Sequence, residues 1–219
     1  MFKGLLSLFL KSNCPLCQRP AESTICPDCT RRVESCQLAN PLKFWKDDLP
    51  LFVWGYYDGQ LKRAIAAFKY ENHVELGEFF GYSLGENWLK CHLLKKFPQL
   101  TVIPVPLHAE KQKERGFNQA ELIAKAFCHI THYPLQNQGL IRVRNTEALF
   151  NLNPQQRQAN VQQAFCLGRG LAQQPMKQPI LLVDDIYTTG TTARECVKVL
   201  NAHRFSVLGV VAIASARLQ

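Results

Sequence analysis

Ile180-Leu-Leu-Val-Asp-Asp-Ile-Tyr-Thr-Thr-Gly-Thr-Thr192 is the run that decides how this chain folds and where its chemistry sits. Ile180 to Val183 are continuously apolar, the mark of a parallel strand covered on both faces. Asp184 and Asp185 follow at its carboxyl end, the edge of an open α/β sheet where ligands bind, so the pair is placed to hold hydroxyls or a metal. Thr188, Thr189, Gly190, Thr191 and Thr192 then supply hydroxyls and unhindered backbone N–H groups, and the following helix offers an anion the positive end of its dipole. Acids that merely cap the helix are the plain alternative, but a cap needs one such residue, not this succession of polar and small ones. The run reads as a phosphate-sugar site. Beyond it, Thr192-x-x-Glu195 has the form of a capping box, and Cys196, Val197 and Leu200 mark a buried helical stripe.

On either side, strand and helix patterns alternate. Leu51 to Tyr57 is aromatic and β-prone, and Asp58-Gly59 turns the chain. Leu61, Ile65 and Phe68 share one helical face, and Val74 to Leu94 reads as a longer helix. Thr101 to Val105 is a second buried strand, ended by Pro104-Val-Pro106 because proline cannot sit in a central ladder. Gly116-Phe-Asn-Gln119 leads into a helix with Leu122, Ile123, Phe127 and Ile130 inward. Leu140 to Val143 is a short edge strand, Thr146 to Asn153 a loop, Pro154 to Phe165 a helix, and Gly168 to Gln178 a linker. Val207 to Ala214 is the last buried strand, completing βαβ units and hence a parallel sheet.

The 219 residues, 47% of them hydrophobic, suffice for one α/β core with a small appendage and exclude wholesale disorder. No run approaches the roughly 18 apolar residues that span a bilayer. Met1 to Leu10 is short, lacks a cleavage site, and sets Phe2, Leu5, Leu6 and Phe9 on one helical face, so a packed helix is expected rather than a targeting segment. Of the net charge of +9, +5 falls between Lys111 and Gly170, where there are eight Lys/Arg and three Asp/Glu. Such a surface attracts pyrophosphate, nucleotides or nucleic acid, or is simply a solvated basic face.

Cys14-Pro-Leu-Cys17 and Cys26-Pro-Asp-Cys29 are paired knuckles whose four thiolates can close a tetrahedral, structural Zn²⁺ site on a segment too short for its own core. A redox dithiol and a disulfide pair remain the other readings; the first needs only one knuckle and the second an oxidising compartment. Cys36, Cys91, Cys128, Cys166 and Cys196 are scattered and odd in number, as buried thiols of a cytoplasmic protein are. The expected domains are residues 1–50, a helix with the small four-cysteine zinc module and a connector, and residues 51–219, the α/β domain.

The run from Ile180 resembles the ribose-phosphate motif of type I phosphoribosyltransferases, in which a Thr/Gly loop cradles the 5-phosphate of phosphoribosyl pyrophosphate (PRPP) and an acidic pair binds the ribose hydroxyls. The resemblance implies a Rossmann-like parallel sheet of that kind, with Asp184 and Asp185 on the ribose and Thr188 to Thr192 on the phosphate of Mg²⁺-bound PRPP. Tyr187 departs from the aliphatic residue commoner there. The same likeness puts Val105, Pro106, Lys113 and Arg115 toward the pyrophosphate, with Lys111 beside them, the other reading of these cations being an exposed basic loop; Lys69 joins them as a ligand contact or is equally a surface charge. Over nearly its whole length the chain resembles the ComF family of competence proteins. The residues that carry this are the two knuckles, Phe68-Lys-Tyr70, Ile103-Pro-Val-Pro-Leu107, Arg115-Gly-Phe-Asn-Gln119, Leu140-x-Arg142-x-x-x-Thr146, Arg157-x-x-Asn160 and Val183-Asp-Asp-Ile-Tyr-Thr-Thr-Gly190. Leu149, where glutamine is usual, and His203-Arg204-Phe205, in place of a Gly-Ala turn, depart from the pattern. Membership implies DNA uptake in natural transformation, with single-stranded DNA and other uptake proteins as partners. An active phosphoribosyltransferase with an unidentified base or amine acceptor is the alternative; against it, the zinc module is expected where an acceptor-selecting hood would lie.

Overall fold

The computed structural model describes residues 13–91, 97–145, 163–172 and 178–216. The N-terminal helix expected from Phe2 to Phe9, most of the helix from Pro154, and Thr146, Leu149, Arg157 and Asn160 lie outside them. In chain order the elements are α1 (Pro27–Glu34), β1 (Leu51–Tyr56), α2 (Gly59–Tyr70), α3 (Leu76–Lys90), β2 (Thr101–Pro104), α4 (Ala109–Arg115), α5 (Gln119–Thr131), β3 (Leu140–Arg142), β4 (Phe165–Leu167), α6 (Arg169–Ala172), β5 (Ile180–Tyr187), α7 (Thr191–Ala202) and β6 (Val207–Ser215).

Four strands form a parallel sheet in the order β1-β6-β5-β2. The two central strands are the two apolar runs nearest the C-terminus, as continuous hydrophobicity requires of strands covered on both faces. One face of the sheet carries Leu181, Val183, Phe52 and Val211 against Leu61, Phe68, Phe80, Ile123 and Phe127 of α2, α3 and α5. The other carries Ile180, Leu182 and Val210 against Ala193, Cys196 and Leu200 of α7. Helices α3 and α5 meet through a seam of Gly77, Gly81 and Gly85, one per helical turn. A Cβ on Gly81 would stand 2.5 Å from the carbonyl oxygen of Ile123, so the seam admits only glycine at this spacing. No helix among the described residues is long and apolar enough to cross a membrane.

The structure differs from the sequence expectation in several elements. β5 does not stop at Val183; it runs on through the acidic pair, because Asp184, Ile186 and Tyr187 keep register with Ala212, Ala214 and Ser215 of β6. Leu140–Arg142 is an edge strand as expected, but its partner is Phe165–Leu167, antiparallel, outside the main sheet. Phe165 is thus strand where the pattern suggested the end of a helix. The basic stretch after the Pro-Val-Pro turn is a short helix, α4, stopped by Gly116 in the left-handed region (φ 86°). The capping box does not form: Gly190 is the N-cap, and Glu195 pairs instead with Lys198 within α7.

Candidate functional site

At the carboxyl edge of the sheet lies a cavity of about 550 Å³ whose floor is Asp184 and Asp185, within the range of roughly 300–1,000 Å³ usual for small-molecule sites. Successive strand residues project to opposite faces, so the neighbouring acids have different surroundings. Asp185 meets α2: its Oδ2 lies 2.8 Å from Lys69 Nζ, both side chains being 13% exposed. Asp184 lies on the side of Arg142 and Cys196, and its Oδ1 accepts a hydrogen bond from the Asp185 backbone N–H at 2.8 Å. Burial first, and the Asp185 charge second, push the Asp184 carboxyl up to about 7 against the opposing pull of Lys69 and Arg142.

The loop after β5 opens directly into α7. Thr188 and Thr192 line the cavity, whereas Thr189 and Thr191 bond to each other through their hydroxyls at 2.8 Å. Gly190 has φ 74°, and its place at the N-cap brings no side-chain cap to α7, which keeps first-turn N–H groups of that helix open to an anion. Tyr187, the departure noted above, does not reach the cavity. It is 2% exposed, and its hydroxyl accepts from Arg194 Nη1 at 3.4 Å and lies against Gly190, supporting the loop from beneath.

The opposite wall is cationic. Val105, Pro106 and Leu107 line it, and their turn is fixed by buried Asn118, whose Nδ2 donates to Val105 O at 3.2 Å while its Oδ1 caps α5 at Ala120 N, 3.1 Å. On α4, Lys111 and Arg115 are one turn apart and both face the cavity; Lys113, between them, is exposed and does not line it. Arg142 of β3 is the residue that sequence reasoning gave no role, its only signal being the Leu140-x-Arg142 pattern. It lines the cavity with its guanidinium over the Phe165 ring, 5.4 Å from the centroid. Burial, then the charges of Arg142 and Arg115, depress the ammonium pKa of Lys111. Cations crowded at such cost form a ready counter-surface for a multiply charged anion.

The four cysteines of the knuckles come together apart from this cavity. Their sulfurs all lie within 4.8 Å of one another, with Cys17 and Cys26 3.6 Å apart; sulfurs on a tetrahedral site with Zn–S near 2.3 Å stand about 3.8 Å apart. Arg19 donates through Nε to Cys17 Sγ at 3.4 Å, approaches Cys26 Sγ at 4.0 Å, and is itself held by Asp28 at 3.0 Å. That guanidinium lowers the Cys17 thiol to about 6, toward the thiolate a metal needs. The cluster can hold a metal ion. Among the described residues none before Tyr57 lines the cavity, so the knuckles do not form its hood; that position falls to α2, α4 and β3.

No family model matches the chain. It is similar to "Competence protein ComFC" of Bacillus subtilis, 28% identical over 187 residues covering 82% of this chain and 67% of that protein. With "Competence protein F" of Haemophilus influenzae the identity is 28% over 204 residues, 90% and 88% of the two chains. A shorter likeness, 29% over 99 residues, joins 45% of this chain to 42% of "DNA utilization protein YhgH" of Escherichia coli. The two longer matches, each over most of the chain, make it similar to the competence proteins ComFC and F, in line with the ComF resemblance of the sequence.

Proposed function

We propose that the protein binds a 5-phosphorylated ribose, PRPP with Mg²⁺ foremost, and serves DNA uptake in natural transformation from the cytoplasm, contacting single-stranded DNA and other uptake proteins. The observation that carries the ribose-phosphate part is the convergence in one cavity of two carboxylates, a threonine loop at a helix N-terminus and the cations Lys69, Lys111 and Arg115. In this reading Thr188 to Thr192 hold the 5-phosphate, Asp184 and Asp185 the 2- and 3-hydroxyls, and Lys69 with the Val105–Pro106 turn and Arg115 the pyrophosphate. Residues 51–219 form the ribose-phosphate domain, and residues 1–50 a module with structural zinc at Cys14, Cys17, Cys26 and Cys29. The names of the relatives, competence and DNA utilization proteins, support the DNA-uptake part.

Thermal melting tests the site. PRPP with Mg²⁺ at ten times its dissociation constant stabilises the fold by about 1.4 kcal/mol, a rise of a few degrees for a chain of this length. Asp185→Asn removes that rise. It also lowers the unliganded melting point, because Lys69 loses its buried partner; the Asp185→Asn, Lys69→Met double variant recovers the melting point without recovering the ligand response. Equal shifts in wild type and Asp185→Asn would remove this site from the account. The transferase reading keeps one specific support, the presence in one cavity of the acidic pair, the threonine loop and the cationic wall. Pyrophosphate release from PRPP on addition of a nucleobase, an amine or ammonia, absent without it, would establish that reading in place of a purely binding role.

A further inference from the structure

Helices α3 and α5 carry on their exposed side a groove of about 400 Å³ that shares no residue with the cavity at the sheet edge. Gly77, Gly81 and Gly85 meet Leu122, Ala126 and Ile130 in turn, so the two helices run in the same direction. One wall of the groove is acidic, with Glu75 at the start of α3 and Glu78 within it. The other is basic, with Lys125 and His129 of α5, and all four side chains are exposed. Between the walls the surface is apolar: Leu122 and Ala126 form the floor, and Val74, 44% exposed, stands at one end. At the other end Tyr82 lies against His129, their ring centroids 5.9 Å apart. Opposite charges line this groove, yet among the described residues no ion pair crosses it. Glu75 is held in its own wall by His73 at 3.0 Å, and Glu78 accepts a hydrogen bond from the Tyr82 hydroxyl.

A surface split lengthwise into an acidic and a basic half is complementary to itself. A twofold axis running along the two helices sets the acidic half of each copy on the basic half of the other. The register agrees. Glu78 stands one residue past Gly77, and Lys125 three past the Leu122 that Gly77 meets, so the two are offset by about 3 Å along the helix axes, within reach of their side chains. Rotation about such an axis leaves positions along it unchanged, so Glu78 of a second copy keeps that offset from Lys125. Tyr82 and His129 stand in the same register. We infer that this groove is the contact between two copies of the chain, an isologous dimer in which Glu78 of each meets Lys125 of the other over the apolar floor. A basic or an acidic helix of another protein would satisfy one wall and oppose the other; a second copy satisfies both. The net charge of +9 is no obstacle, because at physiological salt repulsion between exposed charges is screened beyond about 8 Å. The dimer leaves both sheet-edge cavities open, and the inference is independent of what they bind.

Sedimentation equilibrium of the full chain at about 0.15 M salt tests this. Wild type is expected to show a concentration-dependent monomer–dimer equilibrium, its mean mass rising from 24.9 kDa toward twice that value. Glu78→Lys alone, or Lys125→Glu alone, weakens the association roughly tenfold or more, since either change turns both attractions of the symmetric contact into repulsions. Mixing the two variants restores dimers of wild-type strength: the reversed charge of one then meets the reversed charge of the other, and native Lys125 meets native Glu78. Variants that had merely misfolded could not recover in this way. A wild type that stays monomeric at roughly 100 μM overturns the inference. Dimers that neither single change weakens place the contact elsewhere and overturn it as well, and a mixture that fails to recover does the same. Growth beyond the dimer would show an open head-to-tail contact in place of the closed pair and sink it too.

Discussion

Asp184 and Asp185 are alike in sequence, yet Lys69 stands 2.8 Å from Asp185, while Asp184 has burial and its neighbour's charge against it. The groups facing Asp184 are Asp185, Lys69, Arg142 and Cys196. Its carboxyl titrates near 7 in the fold, against about 3.9 in an unfolded chain. Between those values the folded state holds a proton that the unfolded state has released, so this group makes stability fall as pH rises from about 4 to about 7, and the loss persists above. Asp184→Asn removes the titration. It should therefore melt above wild type at pH 8, by an amount on the order of 1–3 kcal/mol given partial screening from the open cavity, with the gap narrowing at pH 5. A variant that melts below wild type at pH 8 would show that the carboxylate is stabilised in place and the sign reversed. The acidity of the pair was legible in the sequence. Its asymmetry was not, since it comes from Lys69 and Arg142, which only the folded sheet brings to opposite sides of one strand.

The elements that sequence reasoning located best are those whose apolar period is unambiguous: the buried strands, and the helices of Leu61, Ile65 and Phe68 and of Ile123 and Phe127. It failed where the deciding partner is remote. β5 is prolonged by pairing with β6, β3 acquires β4 from beyond a long connection, and a capping box gives way because the N-cap of α7 is Gly190, in a left-handed conformation two residues before Thr192. The knuckle segment was legible as four ligands, but not as part of the core. Leu16, Ala21, Ile25 and Val33 belong to the same apolar cluster as Phe52, Trp54, Leu61 and Ile65. Metal loss should on that account be felt beyond the knuckles. Protein purified without added metal is expected to carry about one zinc per chain, and Cys14→Ser, Cys17→Ser should lower the melting point of the whole cooperative transition, not only expose residues 13–33 to proteolysis. Protein that carries no metal and yet stays folded under reducing conditions would rule the structural zinc out.

At the scale of the molecule, the excess charge between Lys111 and Gly170 divides in two. Lys111, Arg115 and Arg142 face the cavity, whereas Lys113 and Lys125 do not line it and Lys113 lies exposed on α4. The sequence could not make this division, because it follows from the turn of a helix it did not show. The division separates two functions that the same basic stretch would otherwise confound. If the basic face serves single-stranded DNA, binding should show little sequence preference, since phosphate contacts carry no sequence information, and each phosphate neutralised adds about 0.7 to the slope of log affinity against log salt. Lys113→Gln should then flatten that slope by up to about 0.7 and leave PRPP affinity as in wild type, because its side chain is outside the cavity. Lys111→Gln should weaken PRPP binding whatever it does to DNA. A salt series on a short oligothymidylate, run beside PRPP titrations of both variants, reads the two effects independently. An unchanged slope for Lys113→Gln, with wild-type DNA affinity, would move the nucleic-acid surface off α4 and leave the charge there as a solvated face around the entrance of the site.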